Sequence, residues 1–211
     1  MTLSDCDLRA EIKSGRLVID PFDGKSIQPC SVDVRLDGRF LIPRCHQTAA
    51  IDPLIFNPNL MEECCLPLPP GLVPHVGETV PFVLHPAQFA LAATLERVEM
   101  PDDLAARIEG KSSLGRLGLL VHLTAGWIDP GFAGQITLEL FNAAPVPIYL
   151  YPAMRIAQLS VTRLSSPSER PYGSPGLGSK YKGSVGAVAS SYHTNYQQDS
   201  SSTPAVPTRD V

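Results

Sequence analysis

Gln135-Ile136-Thr137-Leu138-Glu139-Leu140-Phe141-Asn142 (QITLELFN) puts an aliphatic side chain at every second position. Ile136, Leu138 and Leu140 share one face of an extended chain, and Gln135, Thr137, Glu139 and Phe141 share the other. A period of two predicts a half-buried strand. Shorter runs around it, at 80–84, 88–93, 95–98, 104–109, 117–123, 147–150 and 155–163, read the same way. Turn signals separate them at Pro86, Pro101-Asp102, Asp129-Pro130-Gly131 and Pro145. Upstream, Val32, Val34 and Leu36 alternate with Ser31, Asp33 and Arg35, which predicts a half-buried strand over 31–36. Many short strands with close turns predict a mostly β fold, a barrel or jelly-roll-like sandwich rather than an α/β sheet. The 21 prolines and 16 glycines agree, since both interrupt helices.

At the N-terminus, Ser4 and Asp7 form a capping box, Leu3 can staple onto Leu8, and Gly15 is placed to end one short helix. Residues 43–80 are rich in proline without periodicity and read as an irregular insertion. Beyond Leu164 serine, proline and glycine take over. The organisation expected is a folded domain over 1–164, a flexible lid segment over 165–186 and a disordered tail over 187–211.

A net charge of −4 supplies no overall field for a nucleic-acid backbone, so a polyanionic ligand must meet a local basic cluster. The first residues carry acidic groups and no apolar run, unlike a signal peptide, and no stretch has the length of a membrane span. Five irregularly spaced cysteines (Cys6, Cys30, Cys45, Cys64, Cys65) point to free thiols in a reducing cytoplasm.

Three segments could carry chemistry. In GKSSLGRLG (110–118) three glycines bracket Lys111, Ser112, Ser113 and Arg116. The segment is either a cradle for phosphate oxygens or a tight turn with solvated charges. Glu139 is either a functional carboxylate or part of a solvated outer face; the glycine-rich turn TAGWIDPGFAG (124–134) before it weakens the second reading. RPYGSPGLGSKYKG (170–183) sets Arg170, Tyr172, Lys180 and Lys182 in a glycine-rich chain that suits a lid or a disordered tail.

Together these pieces resemble the dCTP deaminases, which share the β fold of the trimeric dUTPases. The resemblance runs through SDCDLRAEI (4–12), QPCSVDVRL (28–36), the long stretch 82–140, YPAMRIAQL (151–159) and the tail at 170–183. It implies a dUTPase-like distorted barrel, a homotrimer with sites shared between subunits, dCTP as substrate and dTTP as an inhibitor. Magnesium would arrive on the triphosphate, with no protein ligands of its own. Residues Lys111, Ser112, Ser113, Leu114, Gly115 and Arg116 would hold the triphosphate and Asp129 the deoxyribose. Thr137, Leu138, Glu139 and Gln158 would contact the nucleotide, and Tyr172, Lys180 and Ser184 would close the lid. Glu139 corresponds to the family's catalytic glutamate, with Ser112 and Arg116 assisting.

A carboxylate that takes a proton from water accelerates attack at cytosine C4 by roughly 10²–10⁴-fold. The H-x-E and P-C-x-x-C signature of zinc deaminases is absent, so the sequence points to a route without zinc. Gly126 and Trp127 stand where deaminases that stop at dUTP carry histidine and arginine. Members that also cleave the triphosphate resemble this chain, which implies dUMP, ammonia and pyrophosphate as products. The competing readings are a deaminase that releases dUTP, a nucleotide-sensing subunit without catalysis, and a plain dUTPase. Against the resemblance, Ser184 replaces a frequent glutamine, a lost amide expected to weaken closure over the ligand, while alanine for glycine at Ala153 and Ala157 is expected to be tolerated.

Overall fold

The computed structural model describes residues 1–44 and 50–196. The helix α1 (Asp5–Lys13) begins at Ser4, whose hydroxyl accepts from the Asp7 backbone while the Asp7 carboxylate reaches back to the Ser4 backbone. Leu3 and Leu8 are both buried, and Gly15 leaves the helix at φ +74°. Glu11 and Arg16 join Arg163 and Asp103 in an ion-pair cluster that ties this helix to the sheet.

Two sheets share one apolar core. The first runs in the order β10 (Trp127–Ile128), β8 (Leu104–Gly110), β13 (Arg155–Arg163), β3 (Ser31–Arg35), β2 (Ile27–Gln28). The second runs β5 (Met61–Cys65), β4 (Arg39–Pro43), β7 (Phe89–Glu99), β11 (Ala133–Asn142), β9 (Leu119–Leu120), with β1 (Val18–Asp20) also paired to β7. A small third sheet pairs β6 (Phe82–Leu84) with β12 (Ile148–Leu150). Every pairing within these sheets is antiparallel, as short turns require. The expected two-residue alternation holds along β11, where Ile136, Leu138 and Leu140 are buried and Gln135, Thr137, Glu139 and Phe141 are half-buried.

Several expectations need correction. The two runs at 88–93 and 95–98 are one strand, β7, interrupted by an irregularity opposite Ile136. Thr94 fills that irregularity: its hydroxyl accepts from the Ile136 N–H and donates to the Glu96 carbonyl. The run at 117–123 contracts to the two-residue β9. The segment 43–80 is not wholly irregular, because Met61–Cys65 pairs along β4. The strand at 31–36 is not half-buried either. Ser31 and Asp33 are buried along with Val32 and Val34, since cationic and amide side chains roof the polar face.

The segment expected to be a lid, 165–186, runs along the domain. Gln135 N–H donates to the Ser184 carbonyl, and Gly183 N–H donates to the Ala133 carbonyl. Gly134, at φ +151°, permits this approach: a Cβ there would stand 2.9 Å from the Ser184 nitrogen. The expected disordered tail contains placed residues up to 196, with Val188 N–H donating to the Thr137 hydroxyl and Tyr192–Tyr196 forming a 3-10 turn. The rest of that tail, 197–211, lies outside the described residues, as does Cys45. The other four cysteines are unbonded, Cys64 half-buried and the rest exposed. Among the described residues no helix is long and apolar enough to cross a membrane.

Candidate functional site

The sequence-predicted residues fall into two neighbourhoods of one chain. The first lies at the end of β8. Lys111 caps the short helix α2 (Ser112–Gly115), its carbonyl accepting from the Leu114 and Gly115 N–H groups. Ser112, Ser113, Gly115 and Arg116 are exposed, while Leu114 packs against the core. The glycine-flanked segment is therefore one helical turn with outward hydroxyls and a guanidinium, not an open loop. Gln158 is in register with Asp33 on β3 and Glu109 on β8, so the three form a polar row across the outer face of the first sheet. The Gln158 amide makes long hydrogen bonds to the Gly110 carbonyl and from the Ser31 hydroxyl.

The second neighbourhood lies along β11 and the turn before it. Glu139 Oε2 accepts from the N–H groups of Leu123 and Thr124, at 3.0 and 3.2 Å. Its Oε1 receives no hydrogen bond from the described residues. The carboxylate is thus held by one oxygen and presents the other, an arrangement suited to taking a proton from a bound water. Its backbone N–H donates to the Val121 carbonyl, which clamps the 121–124 segment onto the strand.

Two residues along β11, Thr137 accepts from Val188, and Gln135 accepts from Gly186 through its side-chain oxygen. Leu138 points into the core, fully buried, so only its backbone can reach a nucleotide.

At the turn, the Trp127 indole N–H donates to the Asp129 carboxylate at 3.0 Å, and the residue is 55% exposed. Tyr172 packs beside Phe132, its N–H donating to the Pro130 carbonyl. Its hydroxyl accepts from the N–H groups of Lys180 and Tyr181, which joins the two lid residues named from the sequence. The Ser184 hydroxyl turns back and donates to the Tyr181 carbonyl.

The backbone at Gly126 is closely packed. A Cβ on Gly126 would stand 2.9 Å from the Ile108 carbonyl oxygen and 3.2 Å from the His122 ring. Gly126 serves close approach of backbone to backbone, its carbonyl accepting from Ile108 N–H.

Sequence reasoning missed two residues. His122 lies between Gly126 and Glu109, with Nε2 3.6 Å from the Glu109 carboxylate and a buried Nδ1 that has no partner among the described residues. Asp33 is only 3% exposed and carries the Lys111 ammonium at 2.6 Å. A carboxylate at mid-strand between two valines was the available signal. On the same face Arg35 pairs with buried Glu96, whose carboxyl burial pushes above the usual range despite the hydrogen bonds from Arg35. Ser112 and Arg116 make no hydrogen bond or ion pair with Glu139 among the described residues.

A family model described as dCTP deaminase-like matches residues 2–164. The chain belongs to the dCTP deaminase-like family. Relatives named "dCTP deaminase, dUMP-forming" include that of Acidothermus cellulolyticus, 53% identical over 198 residues, 94% of this chain and 98% of the relative. That of Mycolicibacterium vanbaalenii is 55% identical over 197 residues, 93% of this chain and 98% of the relative. Among solved structures, the 2′-deoxycytidine 5′-triphosphate deaminase from Agrobacterium tumefaciens superposes with a TM-score of 0.57 at 22% identity. It covers 76% of this chain and 46% of that one, and it supports the fold. The mostly β fold expected from the sequence is the one found.

Proposed function

We propose that this chain hydrolyses dCTP to dUMP, ammonia and pyrophosphate, with Glu139 as general base. The carrying observation is end-to-end similarity above 50% to relatives named for dUMP formation. The placement of Glu139, held through Oε2 with Oε1 available, supports the assignment of the base. Oε1 takes a proton from water as the hydroxide oxygen bonds to C4 of cytosine. Glu139 passes that proton to ring N3, then takes the hydroxyl proton of the tetrahedral adduct and gives it to the amino group; the C4 carbonyl forms, the C4–N bond breaks and ammonia leaves. A second water cleaves between the α- and β-phosphates, giving dUMP and pyrophosphate.

Ser112, Ser113 and Arg116 bind the triphosphate from an exposed helical turn, whose hydroxyl and cationic groups match phosphate oxygens. Magnesium belongs to the substrate as Mg-dCTP. Asp129, oriented by Trp127, binds the deoxyribose, and Tyr172 with Lys180 closes the lid. Ser112 and Arg116 make no hydrogen bond or ion pair with Glu139 among the described residues, and a second copy, in a homotrimer, supplies the missing side of each site. dTTP, which shares the sugar and triphosphate, competes as an inhibitor. Free thiols and the nucleotide substrate favour the cytoplasm.

Incubation of the protein with dCTP and magnesium, followed by separation of nucleotides and assay of ammonia, tests the reading. Ammonia without dUMP returns the chain to the deaminases that release dUTP. Binding without ammonia makes it a nucleotide sensor.

A further inference from the structure

Lys111 opens the segment that binds triphosphate, yet its ammonium does not face outward. It lies 2.6 Å from Oδ1 of Asp33, with the side chain only 26% exposed. Asp33 is 3% exposed, and its second oxygen is 3.7 Å from Arg155 and within long hydrogen-bond reach of Gln28. A carboxylate this inaccessible needs a cation, because an isolated buried charge is costly. The pairing also has a direction. Asp33 sits on β3, two strands from β8, and its strand register through Gln158 to Glu109 is fixed by the ladder. Lys111 is two residues beyond Glu109 and is also the cap of α2, with its carbonyl accepting from Leu114 and Gly115. One residue therefore joins the rigid sheet, through its side chain, to the first turn of the phosphate segment, through its backbone.

We infer that Asp33 is a positioning residue for triphosphate binding: it latches Lys111 to the sheet and so fixes Ser112–Arg116 for the substrate. The inference rests on the proposed function for its substrate, but the latch itself is a property of the free protein. It carries an opposite expectation from a simple competition. Were Asp33 only masking a phosphate-binding lysine, Asp33→Asn would release the ammonium and tighten dCTP binding. As a latch, the same change loosens the segment and weakens it.

The experiment measures ammonia release from dCTP for wild type, Asp33→Asn, Lys111→Gln and the double variant. Each single change should raise KM about tenfold with a much smaller fall in kcat. The double should be no worse than the poorer single, since both act on one pair. A KM that falls or stays unchanged in Asp33→Asn, or single effects that multiply, overturns the inference. Hydrogen exchange at the amides of 112–116 in Lys111→Gln gives an independent reading that survives if Asp33→Asn does not fold. Faster exchange than in wild type supports the latch, and unchanged exchange overturns it. Because exchange needs no substrate, it tests the latch even if the wild type releases no ammonia, a result that would count against the proposed function alone.

Discussion

Replacing Glu139 by glutamine separates the two tasks of that side chain. The glutamine oxygen can still accept from Leu123 and Thr124, as Oε2 does now, so the 121–124 segment stays clamped to β11. The amide nitrogen then stands where Oε1 was and cannot take a proton. A general base contributes roughly 10²–10⁴-fold, so kcat should fall by that factor. At about 1.36 kcal/mol per tenfold this is about 2.7–5.4 kcal/mol of lost transition-state stabilisation. Nucleotide affinity and melting temperature should change little. Glu139→Ala is the contrasting variant: it also strands two N–H groups and should loosen the segment. Single-turnover ammonia release, dCTP binding by calorimetry and thermal melting measure the three quantities. A Glu139→Gln protein that keeps kcat within a few-fold of wild type refutes the role of base.

Truncation after Leu164 removes Tyr172 and Lys180 together with the bonds to Ala133 and Gln135, and should raise KM for dCTP at least about tenfold. Truncation after Gly186 removes the bonds from Val188 and Ser191, each worth about 0.5–1.5 kcal/mol, and should cost only a few-fold; equal KM values for the two proteins would contradict a working lid. Ala153 adopts φ +67°, a left-handed conformation that costs a non-glycine residue about 1–2 kcal/mol. After the entropy that glycine gives back, about 0.4–1 kcal/mol, Ala153→Gly should stabilise by about 0.5–1 kcal/mol, seen as a melting temperature higher by about 1–4 °C; no rise would show the strain is relieved elsewhere.

Burial raises the Glu11 carboxyl, but hydrogen bonds from Arg16 and Arg163 outweigh it and hold the group below its ordinary value. The resulting stability is present above the unfolded-chain pKa and is lost as pH falls through the depressed folded value. Glu11→Gln should therefore be less stable than wild type at neutral pH, with the difference shrinking on acidification in denaturant titrations; a constant difference would remove the ion pair as its cause.

Strand positions were legible wherever one face meets the core and the other does not, as in β11, because the period of two is then written in the side chains. The helix start was legible because a capping box is local. The strand at 31–36 was recognised but its burial was not: the roof over Asp33 comes from Lys111 and Arg155, distant in sequence. Met61–Cys65 was missed because its pairing partner supplies what its own pattern lacks. A bulge at Thr94 looked like a break between two strands, since an irregular position interrupts the alternation without ending the ladder. Ala153 looked harmless because nothing in a sequence reports the sign of φ. At the candidate site, the resemblance pointed to Glu139, Asp129, Tyr172 and Lys180, while the Ser184–Tyr181 bond and the close packing at Gly126 depend on backbone geometry that a sequence does not report.

The central claim concerns the fate of dCTP. Wild-type protein incubated with dCTP and magnesium, with every nucleotide resolved by chromatography and ammonia and pyrophosphate assayed in parallel, measures it directly. Ammonia, dUMP and pyrophosphate in equal amounts, with little free dUTP, is the expected result. Stoichiometric dUTP without pyrophosphate, or no ammonia at all, would contradict it.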